Sequence, residues 1–186
     1  MITKVYMVRH AHSTYTPDEL NRPLSEEGRK EANKLVNIFK NKEIDEVLAS
    51  PYKRAIETVE GIAKEYQKEV KIIEDFRERL LSSEPISDGD FDGAVRKVWE
   101  LETFVHIGGE SNIDAQNRGV SALEKILKMY SGKKVAIGTH GNIMALIMKH
   151  YDLKYDYEFW KKLSMPDIYC LVFEDKKFLS AERVWK

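Results

Sequence analysis

Near the start of the chain, the run "VYMVRHAHST" (5–14) sets an arginine in front of two histidines that are two positions apart. Val5-Tyr6-Met7-Val8 are bulky and apolar, the pattern of a buried strand running straight into the polar residues. Side chains alternate across a strand, so an extended His10 and His12 would share one face. A neutral imidazole can act as a nucleophile or as a metal ligand. The guanidinium of Arg9 offers a planar fork of donors suited to phosphate or carboxylate. Two later segments repeat the arrangement of an apolar run ending in polar residues. "DEVLAS" (45–50) ends in Ser50, and a helical pattern follows with Arg54 in its first turn; "VAIGTH" (135–140) ends in His140, and Gly141 opens the next helix. Ligands of open α/β sheets bind beyond the carboxyl ends of the strands. His10, His140, Arg9 and Arg54 can therefore converge there, and two imidazoles with two guanidiniums would form a strong phosphate trap.

A metal-dependent hydrolase is the competing reading of His10 and His12. That chemistry needs further His or carboxylate ligands from other strand ends. The chain has five histidines, and besides His10 and His12 just His140 follows a clear strand; His106 and His150 read as ordinary boundary residues. An arginine directly before His10 also sits poorly beside a divalent cation. No "GxxxxGK[ST]" phosphate loop, "GxGxxG" dinucleotide loop or "GxSxG" nucleophile elbow occurs.

The elements that would position these residues follow from periodicity. Strand-like runs lie at 3–9, 45–49, 70–74, 133–139, 168–174 and 177–184. Ala32, Leu35, Val36 and Phe39 form a helical face with Ser25 as N-cap. Ile56, Val59, Ile62, Ala63 and Tyr66 form a second; Val120, Leu123, Ile126, Leu127 and Tyr130 a third; Ile143, Met144, Leu146 and Ile147 a fourth. This alternation predicts an α/β fold, a three-layer sandwich with a mostly parallel central sheet and helices on both faces. "EDKK" (174–177) reads as a hairpin, so that edge should be antiparallel. The less regular segment 81–110 carries a helical pattern at Val95, Val98, Trp99 and Leu101. It is expected to be an insertion or lid over the site within a single domain, 1–186.

The 30 basic and 31 acidic residues nearly cancel, which disfavours nucleic acid as a partner held by bulk charge. Cys170 is the only cysteine, so no internal disulfide or multi-thiolate metal site can form, and its apolar surroundings suit a core residue. No apolar stretch approaches the ~20 residues of a membrane span, and no signal-like segment precedes the first strand. The expectation is a cytoplasmic protein with no membrane partner, acting as a monomer or homodimer.

With these residues in place, "VRHAHST", "RPLSEEGRKEA" (22–32), "ASPYKRAIETVE" (49–60), "GGES" (108–111) and "GTHG" (138–141) together resemble the histidine phosphatase superfamily, its phosphoglycerate-mutase-like branch. The resemblance implies that His10 takes the phosphoryl group as a phosphohistidine. It implies that Arg9, Arg54 and His140 hold the phosphate oxygens, with Gly141 beside them, and that neither metal nor other cofactor takes part. The proton donor to the leaving oxygen would lie in "FRERLLSSE" (76–84), with Glu78 the best match and Glu84 the fallback. Ala11 stands where the family usually has glycine. Counting from His10 puts Thr16 at a position often held by asparagine, so Ser13 or Thr16 would supply a hydroxyl to the phosphate. His12 would be a wall residue. The implied activity is that of a histidine acid phosphatase-like phosphoric monoester hydrolase acting on a small phosphorylated substrate. A mutase needs extra segments to close its site, and only 46 residues follow His140; mutase activity and a non-catalytic phospholigand-binding domain are the alternatives. Segment 81–110 would form the entrance, where Glu84, Asp88, Asp90 and Asp92 would disfavour highly anionic substrates if they face inward; Phe91, Trp99 and Phe104 could contact an apolar or aromatic leaving group or else pack in the core.

Overall fold

Val5 and Met7 point to one side of strand β1 (Ile2–Arg9), Tyr6 and Val8 to the other, and all four are buried. A strand covered on both faces must sit inside a sheet with helices on either side. The computed structural model has that arrangement; it describes residues 1–186 except the side chain of Asp88. Strands β2 (Glu46–Ala49), β3 (Val70–Ile72), β4 (Lys134–Thr139), β5 (Asp167–Glu174) and β6 (Lys177–Arg183) complete a sheet of order β3-β2-β4-β1-β5-β6. The pairs β2/β3, β2/β4 and β1/β4 are parallel, whereas β1/β5 and β5/β6 are antiparallel. The hairpin expected at 174–177 is present. The third strand ends at Ile72 rather than residue 74, because a 3-10 turn (Glu74–Phe76) bends the chain toward the site.

Helices α1 (Glu26–Phe39) and α2 (Lys53–Glu65) cover one face, burying Leu35, Phe39, Val59 and Ile62 against Val8, Val47 and Ala136. Helices α4 (Asn112–Met129) and α5 (Gly141–Tyr151) cover the other with Leu123, Ile126, Ile143 and Ile147. Each such side chain contributes about 1.5–3 kcal/mol of transfer free energy on burial. Ser25 caps α1, its Oγ accepting the Gly28 N–H at 3.0 Å. Within 81–110, helix α3 (Asp88–Glu100) buries Val95, Val98 and Trp99 in the second core. A short helix not expected from the sequence, α6 (Tyr157–Lys162), packs Trp160 against Trp99. Among the described residues no helix is long and apolar enough to cross a membrane.

Two close approaches set the site. A Cβ on Gly138 would stand 2.6 Å from the Ala55 carbonyl, so only glycine lets the first turn of α2, and with it Arg54, lie directly on β4. A Cβ on Gly28 would stand 2.0 Å from the His12 carbonyl, so α1 likewise abuts the loop that follows β1.

Candidate active site

β1 and β4 run side by side in parallel, with Arg9 paired to Thr139, so His10 and His140 leave the same edge of the sheet. Their rings lie 5.2 Å apart and tilted by 67°. The Nδ1 of His10 is 2.7 Å from the Ala11 carbonyl, which can only accept, so Nδ1 carries the proton and donates. Its Nε2 lies 3.3 Å from the Nε of Arg54, which can only donate, so Nε2 holds a lone pair. These two contacts fix a neutral tautomer with its nucleophilic nitrogen on the arginine side. Burial, together with the Arg54, Arg9 and Arg22 cations, pushes the His10 imidazole down to about 3. His140 is fully buried with its pKa well below the ordinary value, chiefly by desolvation and then by His10 and the same cations. Its Nε2 lies 2.7 Å from Ser50 Oγ, and its Nδ1 has no partner among the described residues.

This burial has a consequence for stability. Between pH 6.5 and about 3 the unfolded chain binds a proton at His10 that the native state refuses, so stability rises with pH across that window and falls on acidification. One histidine contributes a slope of up to about 1.4 kcal/mol per pH unit. Urea midpoints should therefore drop between pH 6.5 and about 4, and His10→Asn should flatten that dependence. An identical pH slope in wild type and variant would show that His10 is not the buried neutral group described.

The arginines converge on the same point. Arg9 Nη1 donates to the Leu163 and Ser164 carbonyls at 2.8 and 3.2 Å, while its Nε has no partner among the described residues. Its guanidinium runs beneath Gly141, where a Cβ would meet Nε at 3.0 Å. Arg54 is buried, donates through Nη1 to the Glu19 carbonyl at 2.8 Å and pairs through Nη2 with the Glu19 carboxylate at 3.2 Å. Arg22 pairs with the other Glu19 oxygen at 2.8 Å.

Glu78 closes the opposite side. Its Oε1 accepts the N–H groups of Arg79 and Ile143 at 2.8 and 2.9 Å, and its Oε2 accepts that of Asn142 at 3.0 Å. It thus satisfies the opening N–H groups of α5, next to His140. The segment carrying it is pinned by Arg118, which donates to the Asp75 and Arg77 carbonyls and is held by Glu110 at 2.7 and 2.8 Å. A carboxylate offers about four acceptor positions, so three N–H bonds leave one for a proton.

A cavity of about 530 Å³ has Arg9, His10, Ser13, Arg22, Arg54 and Glu78 in its wall, whereas the predicted site residues His140 and Gly141 are buried behind it. His12 also lines it, exposed, with Nδ1 2.9 Å from Ser25 Oγ. Thr16 is not in that wall; its hydroxyl donates to the Asp18 carbonyl at 3.0 Å because the loop turns back on itself there. Glu84, Asp90 and Asp92 are exposed and not in the wall either, and the Asp88 side chain lies outside the described residues. Phe91 lines the cavity, whereas Phe104 and Trp99 serve the core. Sequence reasoning missed Glu19, Arg22, Tyr52, Arg79, Asn142 and Trp160 as wall residues. The one available signal was the charge pattern "DELNR" directly before Pro23.

Residues 5–183 match a family described as histidine phosphatase superfamily (branch 1). The chain is 30% identical over 151 residues to phosphoserine phosphatase 1 of Hydrogenobacter thermophilus, covering 75% of this chain and 71% of that one. It is 28% identical over 163 residues to a metal-independent phosphoserine phosphatase of Arabidopsis thaliana, covering 78% and 67%. Its fold matches that of a mycobacterial glucosyl-3-phosphoglycerate phosphatase at a TM-score of 0.78 and 18% identity, over 98% and 97% of the chains.

Proposed function

The chain belongs to the histidine phosphatase superfamily, branch 1, and from that premise we propose that it hydrolyses a small phosphomonoester through a phosphohistidine on His10. The observation that carries this reading is the His10 tautomer: Nδ1–H tied to the Ala11 carbonyl, Nε2 bare and facing Arg54. His10 Nε2 attacks phosphorus, the P–O ester bond breaks, and Glu78 gives its proton to the departing oxygen. The imidazole gains positive charge in this step, and the Ala11 carbonyl at 2.7 Å offsets it. Arg9, Arg54 and His140, with the Ser13 hydroxyl and the backbone at Gly141, hold the phosphoryl oxygens. Arg22, paired with the same Glu19 as Arg54, joins them. Glu78 then takes a proton from water, the oxygen attacks phosphorus, the P–N bond breaks, and neutral His10 returns. Helix α3 covers the leaving-group side as a lid.

Two of the curated relatives carry phosphoserine phosphatase in their names and another is named phosphoglycerate mutase-like protein 4, which supports hydrolysis of a small metabolite as the first reading and mutase transfer as the alternative. The proposal includes a cytoplasmic setting, consistent with a lone, unpaired Cys170, and action as a monomer or homodimer.

The test is turnover of p-nitrophenyl phosphate after exhaustive EDTA treatment. Direct attack by His10 predicts undiminished rates. Loss that Zn²⁺ or Mn²⁺ restores would instead make His10 and His12 metal ligands, and complete absence of turnover would leave a phospholigand-binding domain.

A further inference from the structure

Among the described residues, Glu19 is the one carboxylate besides Glu78 in the cavity wall, and the proposed chemistry gives it no step. Its Oε1 pairs with Arg22 Nη1 at 2.8 Å and its Oε2 with Arg54 Nη2 at 3.2 Å, so one carboxylate bridges two guanidiniums. The Glu19 carbonyl also accepts from Arg54 Nη1 at 2.8 Å. Both terminal nitrogens of Arg54 are thus turned to Glu19, while its Nε faces His10 Nε2. Beside this bridge, Arg9 Nε and Arg22 Nε are buried without a partner among the described residues, so donors for an anion remain.

The backbone under the bridge is fixed. The Glu19 and Leu20 carbonyls accept from Arg54 Nη1 and the Lys53 N–H at 2.8 and 2.9 Å, which ties the loop to the first turn of α2. The Glu19 side chain is 50% exposed, whereas that of Arg54 is 3% exposed. Rotation of the carboxylate toward solvent therefore frees both arginines without moving the loop. A phosphoryl dianion and the carboxylate compete for the same donors, and like charges at that separation repel. The competition continues after the ester is cleaved, because hydrolysis leaves an inorganic phosphate held by charge-assisted bonds to arginine.

We propose that Glu19 is a product-release gate: the phosphoryl group displaces its carboxylate from Arg22 and Arg54, and the returning carboxylate expels inorganic phosphate. The identity of that product rests on the phosphatase reading; the competition itself is a property of anion binding. Such a gate weakens substrate and product binding together, so it keeps a cavity rich in arginine from being held by its own product.

The experiment measures inorganic phosphate on the full chain, by calorimetry and as a competitive inhibitor of p-nitrophenyl phosphate hydrolysis. Glu19→Gln keeps an oxygen for arginine and removes the charge; it should lower the phosphate Kd and Ki on the order of tenfold, and the KM with them. Phosphate preloaded on the enzyme and chased into an excess of fluorescent phosphate reporter should leave Glu19→Gln more slowly by a similar factor. The control is Asp18→Asn, which removes the same charge from the neighbouring position, outside the wall, where Asp18 is held by Asn21. Solvent screening should keep its effect below about twofold. Unchanged or weaker phosphate binding in Glu19→Gln overturns the inference, the latter making Glu19 a support for the arginines. Equal tightening in Asp18→Asn also overturns it, since net charge alone would then account for the effect. So does an unchanged release rate. A wild type that binds phosphate and hydrolyses no p-nitrophenyl phosphate fails the phosphatase reading instead, because the calorimetric and chase arms need no turnover.

Discussion

His10→Asn should lower kcat by at least ~10⁴-fold on every phosphomonoester, because it removes the bare Nε2 that faces Arg54 and is the proposed nucleophile. Asparagine leaves the backbone bond from His10 N to the Thr139 carbonyl intact, so the sheet edge is preserved and the loss is chemical. His140 does not substitute for it: its ring is fully buried and its Nε2 is committed to Ser50. The comparison is with His12→Ala, which removes an exposed ring held only by Ser25 and should cost less than tenfold. Equal damage from the two substitutions would favour the metal reading.

The second large effect belongs to Glu78. Breaking the ester of an alkyl alcohol leaves an alkoxide unless a proton arrives in the transition state, and general acid catalysis contributes roughly 10²–10⁴ in rate. p-Nitrophenolate departs without that help. Glu78→Gln should therefore slow phosphorylation by an alkyl phosphate roughly 10²-fold or more while slowing p-nitrophenyl phosphate far less. The amide also turns an NH₂ toward a backbone N–H that the carboxylate accepted, at Asn142 or at Ile143 and Arg79. A modest loss of stability should accompany the change, so pre-steady-state phosphorylation rates on folded protein are the proper comparison. Glu84→Gln is the control: Glu84 is exposed, outside the cavity wall, and should show no selective effect. If Glu84→Gln alone shows the selective loss, the acid is Glu84 and the segment 78–84 rearranges on binding.

These groups were legible in the sequence for a physical reason. Arg9, His10, Ser50, Arg54 and His140 all stand at the carboxyl ends of strands or the first turn after one, and parallel pairing of β2, β4 and β1 brings such ends together without detailed knowledge of packing. Glu78 was reached through the resemblance, and no local pattern shows that it meets the N-terminus of α5. Thr16 marks where counting failed: the chain between Ser13 and Leu24 folds back on itself, and the loop is pinned to α2 through Glu19, Leu20 and Leu24. That same fold-back delivers Arg22 and Glu19, which no periodicity announces. Arg79 and Trp160 were hidden for another reason. An arginine in "EDFRER" reads as a solvated charge, and "YDYEFWKK" is too short and too aromatic to show a helical face, so the burial of Arg79 and the partial burial of Trp160 have no signal in the sequence.

The proposed mechanism requires a covalent bond from phosphorus to one nitrogen, Nε2 of His10. Enzyme mixed with ³²P-labelled p-nitrophenyl phosphate should be quenched within milliseconds in alkali, under which a phosphoramidate survives, then denatured and digested. The label should be found on the peptide containing His10, approach one phosphate per chain, and be absent in His10→Asn. Turnover with no labelled peptide in either protein, or label carried on another residue, would contradict nucleophilic catalysis by His10.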